Sequence, residues 1–360
     1  MKDHFLLQVT SFSMAKEKVL KTPAWFPFSW TKHPQPILQP GLTNFASRNI
    51  YEPSVLHDGK SHLMIFRGES RSELPASCVG RFGMAVSEDG LQFQCFGEPA
   101  IVPDAPWEAR GLAHPRLCFM GGVLLLTYAA FDGERYRLCL ATSSDFTNWF
   151  RHGPIFPHFK DNDGNTTSGS IFTIPSNEGV YHMFVGAGDL RLATSSDLIT
   201  WTMHSEIVLR REDCPDFASQ AIDSGPAPFI TKDGVVAILN ATDSSHHGRV
   251  FVSLFDSQNP TKHLEICETP ILEPQSDWER FGYLPNMVTA TSMTFTGQEF
   301  RLYYSGADRC VGVATSPAPG MSQVSKAVAA SDVLASSKKT KSKSKKKSKP
   351  KKKKDKICGV

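Results

Sequence analysis

Between Trp107 and Leu117 a histidine, two arginines and a carboxylate crowd around one proline, in the run Trp107-Glu108-Ala109-Arg110-Gly111-Leu112-Ala113-His114-Pro115-Arg116-Leu117. A histidine can hold or release a proton near neutral pH, and an arginine fork beside it can hold an anion. Pro115 fixes its own φ and presses the preceding residue toward the extended region, so an extended His114 is expected. His114 and Arg116 would then have restricted directions, as side chains at a reaction centre must. The bland alternative is a polar loop ahead of the apolar strand Val123 to Ala130.

Four further residues are singled out by a resemblance set out below. Arg67 ends the apolar run Ile65-Phe66, and Asp223 opens Asp223-Ser224-Gly225-Pro226. Asn286 follows Leu284-Pro285, and Asp308 follows Tyr303-Tyr304-Ser305-Gly306-Ala307. Each has a plain structural alternative: a surface ion pair for Arg67 and Arg116, a strand-end turn for Asp308, a turn before Gly-Pro for Asp223, and ordinary turn chemistry for Asn286. Arg135 and Lys160 are weaker candidates for holding phosphate. His246-His247 lacks metal-ligand spacing and is read as an exposed loop. No carboxylate, histidine or cysteine cluster has such spacing, so neither a metal nor a cofactor is expected.

These residues are strung along a repeat. Five apolar, β-rich stretches recur at spacings of 55 to 64 residues: His62 to Gly68, Val123 to Ala130, Val180 to Ala187, Val235 to Thr242 and Glu299 to Ala307. Each follows a turn signal, such as His57-Asp58-Gly59, Gly121-Gly122 or Lys232-Asp233-Gly234, which favours a hairpin. A second element recurs behind them: Ser87-Glu88-Asp89-Gly90, Ser143-Ser144-Asp145-Phe146 and Ser195-Ser196-Asp197-Leu198, with an echo at Val313-Ala314-Thr315-Ser316. Its aspartates belong to the repeat and are expected to make turns. Helical periodicity is absent. Short strands in units of fixed spacing predict an all-β, five-bladed propeller, with the five stretches as its inner strands and a site at the mouth of the central channel. A sandwich would not explain the repeat. The proline-bounded Ile37-Leu38 has no blade before it, which predicts that the N-terminal segment completes the last blade. The expected organisation is an N-terminal extension over 1–33, the propeller over 34–319, and a linker with a lysine-rich tail over 320–360.

The overall net charge of +3 conceals two opposite parts. Thirteen lysines and one acid lie between Lys338 and Lys356; without them 26 basic and 35 acidic residues remain, a net charge of about −9. An acidic core argues against a nucleic-acid-binding domain, which would carry a basic footprint. The tail has nothing apolar to bury and is expected to be disordered, a solvated extension or a contact for an anionic surface. The eight cysteines show no CxxC pattern, and several sit inside apolar strands. The N-terminal apolar run is too short for a secretory signal. Together these suggest a reducing, cytoplasmic setting.

The motifs jointly resemble glycoside hydrolase family 130, five-bladed propellers that cleave β-mannosides with inversion by phosphorolysis or hydrolysis. The resemblance spans about residues 34–317. It rests on Glu108-Ala109-Arg110-Gly111-Leu112-Ala113-His114-Pro115-Arg116 against the family's E-x-x-G-x-E-D-P-R, and on Trp278-Glu279-Arg280-Phe281-Gly282-Tyr283-Leu284-Pro285-Asn286 against E-x-x-G-x-V-P-N. It is supported by Tyr303-Tyr304-Ser305-Gly306-Ala307-Asp308 against Y-Y-G-x-A-D, and by the Gly225-Pro226 turn. The resemblance implies substrate-binding roles for Asn49, Glu52, Arg67, Arg116, Asn286 and Asp308, and a catalytic role for Asp223. One departure matters most: where the family has the proton-donating Asp of E-D-P-R, this chain has His114. Asn240 stands where the family's phosphate-binding His is expected.

An unperturbed imidazole, with a reference pKa of about 6.5, is mostly neutral at pH 7 and so suits a base better than an acid. The chain therefore also resembles the mannosyltransferase/phosphorylases of glycosyltransferase family 108, which build β-1,2-mannan from GDP-mannose and degrade it with phosphate. The resemblance implies a β-mannooligosaccharide with GDP-mannose, mannose-1-phosphate or phosphate as partners. The other readings are a β-mannosidase and a mannan-binding propeller without turnover.

Overall fold

The five apolar stretches are buried on both faces, not on alternate positions: in Val235–Thr242 only the last residue is not buried. A strand with two apolar faces needs a sheet packed on each side, and in the computed structural model each sheet has them. That structure describes residues 23–317 except 27, 73–77 and 177. The lysine-rich tail, and so the expectation of its disorder, lies outside the described residues.

Five antiparallel sheets form five blades of a propeller. Blade one is Asn49–His57, His62–Glu69, Arg81–Ser87 and Gln94–Cys95; blade two is Gly111–Met120, Val123–Phe131, Tyr136–Ser143 and Phe150–Pro154. Blade three is Ser168–Ile171, Tyr181–Ala187, Asp189–Ser195 and Thr202–Leu209. In blade four Ala221–Ser224 and Phe229–Ile230 both pair with Val235–Thr242, followed by Gly248–Phe255 and His263–Ile266. Blade five is Val288–Phe295, Glu299–Gly306 and Cys310–Pro317, completed by Thr31–Lys32 from the other end of the chain.

One expectation is corrected. The recurring stretches are the second strands of their sheets; the first strands pack on one another between blades and line the axis. The second strands stood out because burial between two neighbouring sheets gives them unbroken apolar runs. The first strands carry the polar groups of the channel and read as irregular.

The ring closes as expected. Thr31 and Lys32 pair with Thr315 and Ala314, and Leu38 bridges to Val311. Residues ahead of the edge strand also pack into the fold, where Phe28 meets Phe300 edge-on at 4.7 Å and Phe229 at 5.8 Å. Lys32 Nζ reaches buried Glu279 at 2.8 Å, tying this strand to the short helix Asp277–Arg280. The repeated aspartates do make turns: Asp89, Asp145 and Asp197 each accept backbone N–H groups two and three residues ahead at 2.7–2.9 Å. Asp256 does the same in blade four at 2.9 Å, a fourth copy that its divergent neighbours hide in the sequence.

Candidate active site

The site grows from two irregularities in the first strands of blades one and two. The pairing register jumps between Tyr51 and Ser54 in one and between Ala113 and Arg116 in the other. Inside each bulge the residue before proline has a positive φ, 53° at Glu52 and 52° at His114. The extended His114 expected from Pro115 is therefore not what forms. Such a backbone costs about 1–3 kcal/mol and persists only where its surroundings over-determine it. Here Glu52 N–H donates to Ser305 Oγ at 2.8 Å, and His114 N–H donates to Glu52 Oε2 at 2.8 Å.

The two side chains meet. His114 Nδ1 lies 3.1 Å from Glu52 Oε1, with Glu52 only 4% exposed and His114 30% exposed. Burial pulls the imidazole pKa down, but the Glu52 carboxylate more than offsets this, and the net direction is up. Burial likewise opposes ionisation of Glu52, yet His114 and Arg67 together bring it down to about 2. The Glu52 carboxylate thus favours the charged imidazolium over the neutral ring. With Nδ1 committed to Glu52, Nε2 is the nitrogen that can serve a substrate.

Arg67 flanks the pair. Its Nη1 lies 3.6 Å from Glu52 Oε1, its Nη2 donates to Glu69 at 2.8 Å, and its guanidinium sits 4.9 Å from the centre of the Tyr51 ring. Glu69 gathers two more donors, Tyr51 Oη at 2.7 Å and Asn49 Nδ2 at 2.8 Å. Asn49 is buried and supports Arg67 through Glu69. Asp308, in the turn between the second and third strands of blade five, has φ of 48°. Burial, then the Glu52 charge, pushes its carboxyl up to about 7, while Arg67 and His114 pull the other way. The Tyr136 ring lies 6.0 Å from that of His114.

Arg116 points to the opposite side. Its Nε and Nη2 donate to the Gly225 and Ser224 carbonyls of blade four at 2.9 and 2.8 Å, and Nη1 to Pro115 O at 3.1 Å. Its fork braces backbone across the channel, and burial lowers its pKa to about 10. Asp223, close enough to influence both Arg116 and His114, accepts hydrogen bonds from Thr167 Oγ1 and, at 3.2 Å, Ser168 Oγ.

Glu52, Arg67, His114 and Asp308 are therefore brought together, with Asn49 behind them and Arg116 and Asp223 facing them. Asn286, in the loop ahead of the first strand of blade five, has φ of 55°, its Nδ2 3.4 Å from His247 Nε2. His246 is exposed, as the loop reading expects, and His247 is half-buried against Asn286. Arg135 is exposed beside Gly164. Lys160 lines a groove with Trp201 and Met203 on the outer side of blade three, outside the cluster. Asn240 exchanges two hydrogen bonds with the backbone of Ala290, at 2.7 and 2.8 Å, and clasps blade four to blade five. The residues that sequence reasoning passed over are Glu69, Tyr51 and Tyr136. Glu69 had a signal: it lies two residues beyond Arg67, on the same face of one strand. Among the described residues no group of three or more His, Cys, Asp or Glu could hold a metal ion.

The model of glycoside hydrolase family 130, described as beta-1,4-mannooligosaccharide phosphorylase, matches residues 29–324. The chain belongs to glycoside hydrolase family 130. A 1,2-beta-oligomannan phosphorylase of Thermoanaerobacter sp. (strain X514) is 30% identical over 288 residues, covering 78% of this chain and 94% of that one. A solved structure from work on family-130 glycoside hydrolases that target β-1,2 mannosidic linkages in Candida mannan superposes with a TM-score of 0.74 at 25% identity, covering 84% and 99% of the two chains. The beta-1,2-mannobiose phosphorylase of Listeria innocua shares the fold, with a TM-score of 0.70 at 18% identity over 81% and 97%.

Proposed function

We propose that this family-130 chain moves a mannosyl group, with inversion, between a sugar hydroxyl of a β-1,2-mannoside and a phosphate oxygen, and that His114 carries the proton. The observation that supports this is the bidentate hold of Glu52 on His114, through Nδ1 and the backbone N–H. In the degradative direction a phosphate oxygen attacks C1 from the face opposite the glycosidic oxygen. The C1–O bond breaks as the His114 imidazolium protonates the departing oxygen, leaving α-mannose-1-phosphate and a mannoside shortened by one unit. An inverting cleavage needs such an acid on the leaving side; phosphate, already a nucleophile, removes the need for a base to activate water. Run toward synthesis, the acceptor oxygen bonds to C1 of mannose-1-phosphate or GDP-mannose as the C1–O bond breaks and phosphate or GDP leaves, while neutral His114 takes the acceptor's proton and Glu52 stabilises the imidazolium that forms. Arg67 and Asp308, whose charges act on each other beside this pair, would hold mannose hydroxyls. The phosphorylase names of the relatives support the phosphorolytic half; the imidazole in place of a carboxyl favours the synthetic half, including transfer from GDP-mannose.

The test is to incubate the full chain with β-1,2-mannobiose and longer β-1,2-mannosides under three conditions: inorganic phosphate, GDP-mannose, and buffer alone. The expected products are α-mannose-1-phosphate in the first and elongated mannosides in the second. Free mannose without dependence on phosphate would replace the proposal with a hydrolase, and tight binding of mannosides without turnover would replace it with a binding protein.

A further inference from the structure

The run Trp-Glu-x-x-Gly occurs twice, as Trp107-Glu108-Ala109-Arg110-Gly111 before the first strand of blade two and as Trp278-Glu279-Arg280-Phe281-Gly282 before that of blade five. Both glutamates are fully buried. Glu108 Oε1 accepts Tyr128 Oη at 2.7 Å, and its Oε2 accepts the Asp104 N–H at 2.9 Å. Glu279 Oε1 accepts Tyr304 Oη at 2.9 Å, and its Oε2 accepts the Gln275 and Ser276 N–H groups at 2.7 and 2.8 Å. Both tyrosines lie on the second strand of their blade. Each carboxylate also holds one cation from the fourth strand: Arg151 pairs with Glu108 in blade two, and Lys32 with Glu279, at 2.8 Å, in blade five.

Burying an ion pair costs about as much desolvation as the pairing returns, so stability is a weak reason to build the same pair twice. The place of each pair in the fold supplies a better one. In blade five the Asn286 and Met287 N–H groups donate to the carbonyls of Arg280 and Glu279, each at 3.2 Å, and Ala307 N–H donates to Met287 O at 2.8 Å. A Cβ on Gly282 would fall 2.4 Å from Ala307 O, and Leu284 N–H reaches that same carbonyl at 3.1 Å. Glu279 therefore fixes the short helix from which the Asn286 loop hangs, and through that loop the turn of Asp308. In blade two Tyr128 stands across from the bulge: its neighbours Ala129 and Thr127 pair with Ala113 and Arg116, on either side of His114 and Pro115. Glu108 thus holds the strand against which His114 is set. We propose that the two anchors are positioning devices with separate duties: Lys32 and Glu279 set Asn286 and Asp308 for mannoside binding, and Arg151 and Glu108 set His114 for proton transfer. All four residues act through the groups they hold. The N-terminal strand that closes the ring thereby takes part in substrate binding. The kinetic half of this inference rests on the mannosyl-transfer reading; the ordering of the blade-five loop does not.

The experiment compares the full chain with K32M and R151M, which keep most of the side chain and remove its charge. Thermal melting checks that each is folded. Hydrogen–deuterium exchange follows residues 281–287 and 306–309, and kinetics use β-1,2-mannobiose with phosphate. In K32M those two segments should exchange about 10-fold faster, with blades two and three unchanged. Its KM for mannobiose should rise about 10-fold, the worth of one or two hydrogen bonds, with kcat within about 2-fold of the parent. In R151M kcat should instead fall about 10- to 100-fold, because a small misplacement of a reacting group costs that much, while KM stays within about 2-fold. K32R and R151K, each carrying the cation that the other blade uses, should recover most of what is lost. Y304F and Y128F remove one hydrogen bond from each carboxylate and leave the ion pair. They should move KM and kcat in the same two directions by about 3-fold, and they decide the matter if a charge-removing variant does not fold. A lower melting temperature with both kinetic constants unchanged, or with the two variants changing KM and kcat alike, overturns the proposal. If the unaltered chain turns over no mannoside, the transfer reading falls and the exchange rates still decide: unchanged exchange over 281–287 in K32M sinks the anchor. Normal turnover with parent-like K32M and R151M sinks the anchors alone.

Discussion

Glu52→Gln keeps the shape of the side chain and removes its charge, so it tests whether the carboxylate is what makes His114 an acid. The ordinary carboxyl value of 4.5 and the folded value of about 2 are separated by about 2.5 pH units. At 1.36 kcal/mol per unit this corresponds to about 3 kcal/mol of folding stability, and Glu52 is too buried for solvent to screen much of it. The depressed folded value sets the sign. The contribution is fully present above pH 4.5 and is lost as pH falls through about 2. The raised value of His114 reports the same interaction from the other side, so its share is present below the unfolded imidazole value and is lost as pH rises through the folded one. E52Q should therefore be about 3 kcal/mol less stable than the unaltered chain near pH 6, with a deficit that shrinks toward pH 2 and also shrinks in the alkaline direction. In activity, burial would act on His114 without its nearest anion, so its pKa should fall. The decline of phosphorolysis with rising pH should then move to lower pH, and kcat at pH 7 should drop by up to the roughly 10²–10⁴-fold that a general acid supplies. The measurements are urea unfolding from pH 3 to 9 and the pH profile of kcat with β-1,2-mannobiose and phosphate. If E52Q is as stable as its parent at pH 6 and its kcat profile superimposes, the electrostatic argument is wrong.

Other perturbations separate chemistry from support. H114D places two carboxyls about 3 Å apart, where they cannot both ionise and one stays protonated. Phosphorolysis by H114D should match or exceed that of the parent while transfer from GDP-mannose falls at least ~10-fold, whereas H114A should lose both by about 10²-fold or more, as seen by product chromatography. R116K cannot reproduce a fork that holds two carbonyls of blade four, and should lower stability by roughly 2–4 kcal/mol in urea unfolding. N240A leaves the backbone N–H and C=O of Ala290 without their amide partner; it should cost about 2–3 kcal/mol in the same assay, with kcat of the folded enzyme unchanged. D308N removes a carboxyl whose folded value of about 7 lies above its ordinary 3.8. That raised value destabilises the fold increasingly from pH 3.8 to 7, so D308N should be more stable than the parent at pH 8, on the order of 2 kcal/mol after allowing for partial exposure, while its KM for mannoside rises.

The propeller was legible because its second strands repeat and lie buried between sheets, and because the serine–aspartate turns recur at nearly the same spacing. Closure by the N-terminal segment was legible from one unmatched apolar pair, Ile37-Leu38. The first strands were not legible as the axis, because channel residues obey the site and not the core. His114 was found because charged residues crowd around Pro115 ahead of an apolar strand, and Arg67 and Asp308 because they fall in stretches that resemble the family's motifs. What the sequence hid was direction. Proline restricts the residue before it in general, but at Glu52 and His114 the bulge and its hydrogen bonds override that preference. It also hid the sign of His114's titration, because the residue that sets it lies 62 positions away.

That separation is small in structural terms, since blades one and two build the same device twice. Tyr51-Glu52-Pro53-Ser54 and Ala113-His114-Pro115-Arg116 each carry a register jump, a left-handed residue and a following proline. Their first strands are neighbours at the axis, so the two left-handed residues project into one space. The bulge in blade one supplies an anion that receives both the ring and the backbone N–H of the bulge in blade two. A carboxyl at residue 114 would share the site with a second carboxyl and stay protonated through their repulsion. An imidazole there stays protonated through attraction to the same neighbour. Either residue can therefore deliver a proton from an unchanged backbone. They differ in the released state: the histidine leaves a neutral ring beside one carboxylate, whereas a carboxyl would leave two repelling carboxylates. On the proposed reading, the histidine reaches its proton-accepting state without a second buried charge, which suits taking protons from acceptor hydroxyls, the synthetic direction.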